Sequence, residues 1–195
     1  MSIDLARIEA AVAEMLAAVG EDPERAGLTA TPRRVAEAYS EFFAGNTVNA
    51  VDHLSDSIEF TAKADQTGEL VVLRDIEFRS MCEHHLLPFL GVAHVAYVPD
   101  ERIIGLGNLA RVVETISARA QLQERLTEEI ADAIDEGLSP RGVLVVIDAV
   151  HGCVSTRGPR QTSSSTVTLA SRGVLNNSVE RAEVMALIGS RGHNA

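Results

Sequence analysis

The chain alternates between segments with the two-residue repeat of β-strands and segments with the helical repeat, in an order that restricts its fold. Two strand-like segments precede a consecutive pair of helical segments, and two more follow it. Parallel neighbours would need a crossover helix after each strand, whereas strands that follow one another directly join as antiparallel neighbours. The order therefore predicts an α+β fold with an antiparallel β-sheet, and not a doubly wound parallel one.

The first strand-like segment, ELVVLRDIEFRS, shows this repeat clearly. Apolar residues alternate with charged ones, which predicts a half-buried strand with one shared inner face for Leu70, Val72, Ile76 and Phe78. The other predicted elements are two helices near the N-terminus, a strand over residues 91–98, helices through Leu109 and Ile130, the strands GVLVVIDAV and STVTLASRGVL, and a last helix SVERAEVMALIG. We expect residues 1–55 to form an N-terminal helical segment and residues 56–195 to form the catalytic domain.

Composition limits the classes of molecule that the protein is expected to bind. The net charge is −11 and the pI is near 4.9, which argues against nucleic acid or an anionic membrane, because both are bound by summed Lys and Arg contacts. The N-terminus has no uninterrupted apolar run, so we predict a cytoplasmic protein without a signal peptide. Aromatic residues make up only 4% of the 195 residues, which suits a protein that buries further surface against copies of itself.

Two clusters of cysteine and histidine each follow a predicted strand. In SMCEHHLLPF, Cys82 and His85 stand three apart, and in DAVHGCVSTRG, His151 precedes Cys153 by two. Residues two apart within a strand point to the same face. The clusters could therefore meet at one sheet edge and supply three ligands to a catalytic zinc, which keeps its fourth position open. Spacing does not decide whether His84 or His85 is the ligand, and a lone buried cysteine is commonly a small hydrophobe.

Such a site would serve hydrolysis. A catalytic zinc lowers the pKa of a coordinated water to about 7, and neighbouring neutral histidines can deliver and remove protons. The sequence predicts hydrolytic attack on an electrophilic carbon.

Three segments, SMCEHHLLPFLGVAHVAYVPDERIIGL, QLQERLTEEI and DAVHGCVSTRG, resemble in this order the signature segments of the GTP cyclohydrolase I family. The resemblance implies the tunnelling fold and a toroidal homodecamer with active sites between subunits. It implies a zinc enzyme of folate and pterin biosynthesis that opens GTP at C8, releases formate and forms 7,8-dihydroneopterin triphosphate.

The resemblance also assigns the reactive residues. Cys82, His85 and Cys153 become the zinc ligands, which selects His85 over its neighbour. His84 becomes a proton-transfer residue, and His151 matches the histidine that assists ring opening and later steps.

On the substrate side, Glu124 matches the carboxylate that binds the guanine edge, and Gln123 lies beside it at the same site. Arg111 and Arg157 match arginines that contact the triphosphate, where a guanidinium fork fits phosphate oxygens. Without the resemblance, the first two residues are a polar helix start and the two arginines are surface charges.

The chain departs from the family pattern on this side. GLGN stands where family members usually have GLSK, so Gly107 and Asn108 replace a serine and a lysine, and Gln161 stands near a common lysine. Losing a charge-assisted phosphate contact costs about 1.5–3 kcal/mol. Two alternatives to GTP cyclohydrolase I therefore stay open: a paralogue that opens a related purine nucleotide without completing the pterin, and a non-catalytic ring subunit that binds a purine or pterin.

Overall fold

The computed structural model describes residues 2–59 and 69–189. The helices are Leu5–Ala18 (α1), Thr31–Phe42 (α2), Leu106–Ser117 (α3), Gln123–Leu138 (α4), Gly152–Ser155 (α5) and Ser178–Gly189 (α6). The strands are Ile58–Glu59 (β1), Val71–Cys82 (β2), Pro88–Val98 (β3), Arg102–Ile103 (β4), Ala120–Gln121 (β5), Gly142–His151 (β6) and Thr166–Gly173 (β7). The predicted segments 1–55 and 56–195 also include residues 1, 60–68 and 190–195, which lie outside the described residues.

The main sheet has five strands in the order β5-β2-β3-β6-β7, and β1 pairs separately with β4. The long strands are antiparallel, as predicted. One short parallel pairing was not expected: β5 sets Ala120 opposite Met81 and Gln121 opposite Cys82. Because α3 carries the chain back along the sheet, β5 arrives in the same direction as β2. The pairing brings the start of α4 beside the end of β2.

The α3–α4 pair packs on one face of the sheet, which confirms the predicted α+β architecture. The main core lies between these two helices and the sheet and consists almost entirely of aliphatic side chains. Leu109, Ile130 and Val145 have no exposed surface. Each such side chain contributes about 1.5–3 kcal/mol through burial. A smaller cluster on the opposite face packs Val184 of α6 against the far end of the sheet.

The predicted inner face of β2 is wrong in its first half. Ile76 and Phe78 contact the main core, but Leu70 and Val72 pack against the small cluster on the other face. A β-bulge between Leu73 and Ile76 inserts one extra residue, and Asp75 takes a left-handed φ of 57° there. Because strand side chains alternate, one extra residue exchanges the two faces.

The N-terminal helix α1 packs beside α2 and has no buried residue. Part of its apolar stripe faces outward in the single chain: Met15 is 66% exposed, and Val19, which follows the helix, is 75% exposed. None of the described helices is long and apolar enough to cross a membrane.

Candidate metal and substrate site

The first cysteine–histidine cluster forms a tight turn between β2 and β3. The Cys82 amide donates to the Leu87 carbonyl (2.9 Å), and the Leu86 amide donates back to the Cys82 carbonyl (2.8 Å). Leu86 has a φ of 51°, which lets the chain reverse within these few residues. The turn folds His85 back over the end of its own strand, so that its Nδ1 lies 3.9 Å from Cys82 Sγ.

The second cluster lies where the predicted strand ends, and its two reactive residues do not share a strand. β6 ends at His151, and the next four residues form the helical turn α5. A Cβ on Gly152 would lie 2.6 Å from the Pro88 carbonyl oxygen, so only glycine fits where the turn passes β3. Beyond this point Cys153 still reaches the first cluster.

The three predicted ligands converge. The sulfur atoms of Cys82 and Cys153 and a ring nitrogen of His85 all lie within 4.8 Å of one another, and both thiols are free. In a tetrahedral zinc site, bonds of about 2.0–2.3 Å separate the ligand atoms by about 3.5–3.8 Å. Two sulfurs and one imidazole, closing to that spacing by small side-chain rotations, are a donor set that fits zinc.

The environment of Cys153 keeps its thiol protonated when no cation is present. Burial raises the pKa of Cys153, the hydrogen bond and charge of Cys82 raise it further, and the positive charge of Arg157 opposes them. Since metal ligands must be thiolates, binding of a cation would displace the proton. Arg157 itself is exposed, four residues after Cys153.

His151 is held between two neighbours on the core side of the sheet. Its ring stacks on Phe89 with centroids 4.7 Å apart and planes 7° from parallel. Its Nε2 lies 2.7 Å from Gln123 Oε1. Burial lowers the pKa of His151, while the negative charge of Glu124 opposes this shift.

The Gln123 side chain is committed to the protein. It is 2% exposed, and its Nε2 donates to the carbonyls of Ile147 (3.2 Å) and Thr166 (2.8 Å) and to Thr168 Oγ1 (3.1 Å). Two carbonyl partners fix which end of the amide is the nitrogen. The amide oxygen therefore faces His151 and accepts a hydrogen bond from its Nε2–H, which leaves Nδ1 as the unprotonated nitrogen of the neutral ring.

The remaining predicted site residues lie at the surface. His84 and Glu124 are exposed, and the His84 ring lies 6.1 Å from that of His85. Arg111 is exposed on α3, where its guanidinium donates to Asn108 Oδ1 at 3.5 Å. Among the described residues, hydrogen bonds or ring contacts do not join Arg111 to the cysteine–histidine cluster.

A cavity of about 610 Å³ lies elsewhere, between α2, α3 and the outer part of β2. Its lining includes Phe42, Phe78 and Thr115 and none of the predicted site residues. Of the predicted substrate residues, Arg111, Glu124 and Arg157 face solvent in the single chain, whereas Gln123 is buried.

Sequence reasoning missed three residues that organise this site. Phe89 supports the His151 ring, and an ion pair joins Glu83, inside the first cluster, to Arg125 at the start of α4. Glu83 and Arg125 carried a signal, since each stands within a signature segment beside residues with assigned roles. Phe89 carried no such signal, because in the sequence it is distinguished only by its apolar side chain.

The chain matches the family model described as GTP cyclohydrolase I over residues 8–189. A protein of Leifsonia xyli named GTP cyclohydrolase 1 is 60% identical over 186 residues, which cover 95% of this chain and 96% of the relative. Proteins of the same name from Carboxydothermus hydrogenoformans and Geobacillus kaustophilus are 53% and 50% identical, over 96% and 95% of this chain and 96% and 97% of the relatives. A solved structure titled as the apo form of the archaeosine synthase QueF-Like aligns with a TM-score of 0.46 and 17% identity, over 55% of this chain and 97% of that chain, a likeness too weak to carry an argument.

Proposed function

The chain belongs to the GTP cyclohydrolase I family of hydrolases acting on cyclic amidines, and we propose that it is a zinc enzyme that converts GTP into formate and 7,8-dihydroneopterin triphosphate. The observation that carries this proposal is the convergence of Cys82, His85 and Cys153 from two separate segments onto one point. Relatives at 50–60% identity named GTP cyclohydrolase 1 support it.

In this proposal Cys82, His85 and Cys153 hold one zinc ion. When bound, the ion would supply an activated water at neutral pH for attack on the purine C8 carbon. The chain's own contribution is to keep three ligands close together and to leave the fourth position open toward solvent.

Two histidines move protons in the proposal. His151 accepts a proton at Nδ1, because its Nε2 proton is already donated to Gln123 Oε1. Stacking on Phe89 prevents the ring from turning away. His84, exposed on the ligand turn, delivers a proton to the opening ring or removes one from it.

Substrate recognition is assigned to the surface around α4 and α5. The Glu124 carboxylate accepts hydrogen bonds from the guanine ring N–H and exocyclic amine. Gln123 belongs to the same segment, but both of its amide hydrogens are used within the protein, so it serves the site by holding His151. Arg157 and Arg111 bind the triphosphate.

The altered GLGN segment favours a second candidate function. Gly107 has open space around it, and Asn108 accepts from Arg111, so neither supplies a cation for phosphate. A paralogue that opens a related purine nucleotide and stops at formate would need fewer such contacts. We also propose that subunits assemble into a ring in which a neighbour supplies the missing cations.

The experiment combines metal analysis with two product assays. Purified protein is expected to hold one zinc per chain and, with GTP, to release formate and form a pterin at matching rates. Cys153→Ser is expected to lose both the metal and turnover. Formate without pterin would favour the paralogue, and zinc-loaded protein that releases neither product would overturn the enzymatic proposal.

A further inference from the structure

Two charged residues of the signature segments have no part in the proposed function, and the structure pairs them. Glu83 stands between the zinc ligand Cys82 and His84, and Arg125 directly follows the guanine-binding Glu124. The guanidinium of Arg125 forms an ion pair with the carboxylate of Glu83. The pair thus joins the ligand turn to the first turn of α4.

Arg125 is itself held in place by its other contacts. Its Nε donates to Gln121 Oε1 (3.0 Å), and its Nη2 also donates to the Ala120 carbonyl (3.2 Å). The Gln121 side chain is buried and donates in turn to Glu129 Oε2 (2.8 Å). A guanidinium fork with partners on two nitrogens has little freedom, so it presents a fixed cation to the turn.

The backbone makes a second connection at the same place. The Glu83 amide donates to the Gln121 carbonyl (3.1 Å), at the end of the parallel pairing between β2 and β5. On its other side the ligand turn is closed by hydrogen bonds within itself, and His84 and His85 are both exposed. The Arg125 contact is the ion pair that ties this turn to the start of α4.

We propose that Glu83 and Arg125 are positioning residues that set the distance between the zinc ligands and the guanine-binding carboxylate of Glu124. The assignment rests on the proposed function, since it gives the pair a purpose at that site. Glu83 touches neither metal nor substrate in this proposal; it acts by fixing the turn that carries both ligands. The two signature segments then work as one unit because their charged members contact each other.

The test compares zinc affinity in Glu83→Gln, Arg125→Gln and the double variant, by competition with a chromogenic chelator. Each single change is expected to weaken zinc binding about tenfold, which is the lower end of the range for substitutions of residues that orient metal ligands. The double variant is expected to bind no more weakly than either single variant, because one contact is lost in all three.

A purely electrostatic effect predicts a different pattern. Removing the carboxylate of Glu83 would weaken binding of a cation, whereas removing the guanidinium of Arg125 would strengthen it. The positioning role predicts weaker zinc binding in both Glu83→Gln and Arg125→Gln. Opposite signs, additive losses or unchanged affinity would each overturn the proposal.

Glu128→Gln is the matched control, since it removes an equal charge from the same helix, in an ion pair with Arg172 and not with Arg125. Its zinc affinity is expected to stay within about threefold of wild type. Arg125→Lys keeps the cation and is expected to recover part of the loss. If Arg125→Gln does not fold, Arg125→Lys decides the question, because it keeps the charge but not the guanidinium fork. A purely electrostatic effect then predicts wild-type zinc affinity, which would overturn the proposal, and the positioning role predicts a partial loss.

These measurements need no GTP. Absence of formate from the zinc-loaded wild-type protein would therefore overturn the proposed function, whereas the pattern of zinc affinities tests the positioning pair separately. At saturating zinc, a raised KM for GTP in Glu83→Gln with wild-type thermal stability would connect the turn to Glu124.

Discussion

At the residue scale, the state of His151 is set by its neighbours. The Gln123 amide cannot turn over, because its nitrogen donates to two backbone carbonyls. Its oxygen therefore selects the His151 tautomer with the proton on Nε2. The family resemblance implied that Gln123 lies beside the substrate, but it could not reveal that the side chain points into the protein, since that depends on the contact of α4 with β6 and β7.

Replacing Gln123 with leucine is expected to reduce kcat for formate release about a hundredfold, because an unheld His151 ring loses its orientation. Zinc content should remain one per chain. The loss of a donor to buried carbonyls should also lower the free energy of unfolding by about 1–3 kcal/mol. Steady-state kinetics and thermal unfolding measure the two effects separately.

Thr168→Val provides the control for this change. It removes a hydrogen bond to the same amide, but it leaves the contact between Gln123 and His151 in place. We expect kcat to stay within about threefold of wild type, with a stability cost of about 1 kcal/mol. Equal kinetic losses in both variants would mean that packing, and not the orientation of His151, explains the effect.

At the element scale, repeat patterns predicted the helix pair and the long strands, and motif spacing predicted the cysteine–histidine cluster. The repeat patterns failed where the backbone is irregular. The α3 and α4 stripes are long and regular, so the pattern is sufficient there. The bulge at Asp75 and the helical turn after His151 break the strand repeat. Both depend on contacts with neighbouring strands, such as the close approach of Gly152 to Pro88, which no local pattern records.

The bulge can be tested at its left-handed residue. Asp75→Val should lower the free energy of unfolding by about 1–2 kcal/mol, because a β-branched side chain is strained at a φ of 57°. Asp75→Gly should retain or slightly raise stability, since glycine adopts this conformation without strain. The hydrogen bond from the residue 75 amide to His94 Nδ1 (3.1 Å) is available in both variants. Urea unfolding curves compare them, and equal stability would contradict the role given to the backbone.

At the scale of the whole molecule, the described chain has apolar surfaces that a monomer would seldom leave exposed to solvent. In the described part of the chain, β7 has a strand partner on one side only, and its residues Val167 and Leu169 are 59% and 40% exposed. A long apolar edge strand invites pairing with another chain. The exposed stripe on α1 adds a second such surface. Both features support the proposed assembly of subunits into a ring, and with it a site whose missing cations come from a neighbour.

Val167→Lys tests this assembly on the edge strand. Val167 lies opposite Asp148, on the sheet face away from Gln123, so the change leaves the held His151 untouched. A lysine inside an interface would cost several kcal/mol, and we expect sedimentation velocity to show smaller species than the wild-type oligomer. Formate release should fall with the fraction assembled, because the triphosphate then lacks the neighbour's cations. Glu136→Gln on the exposed side of α4 makes the same change in net charge and should leave both measurements unchanged. A wild-type protein that sediments as a monomer and turns over GTP fully would contradict the ring.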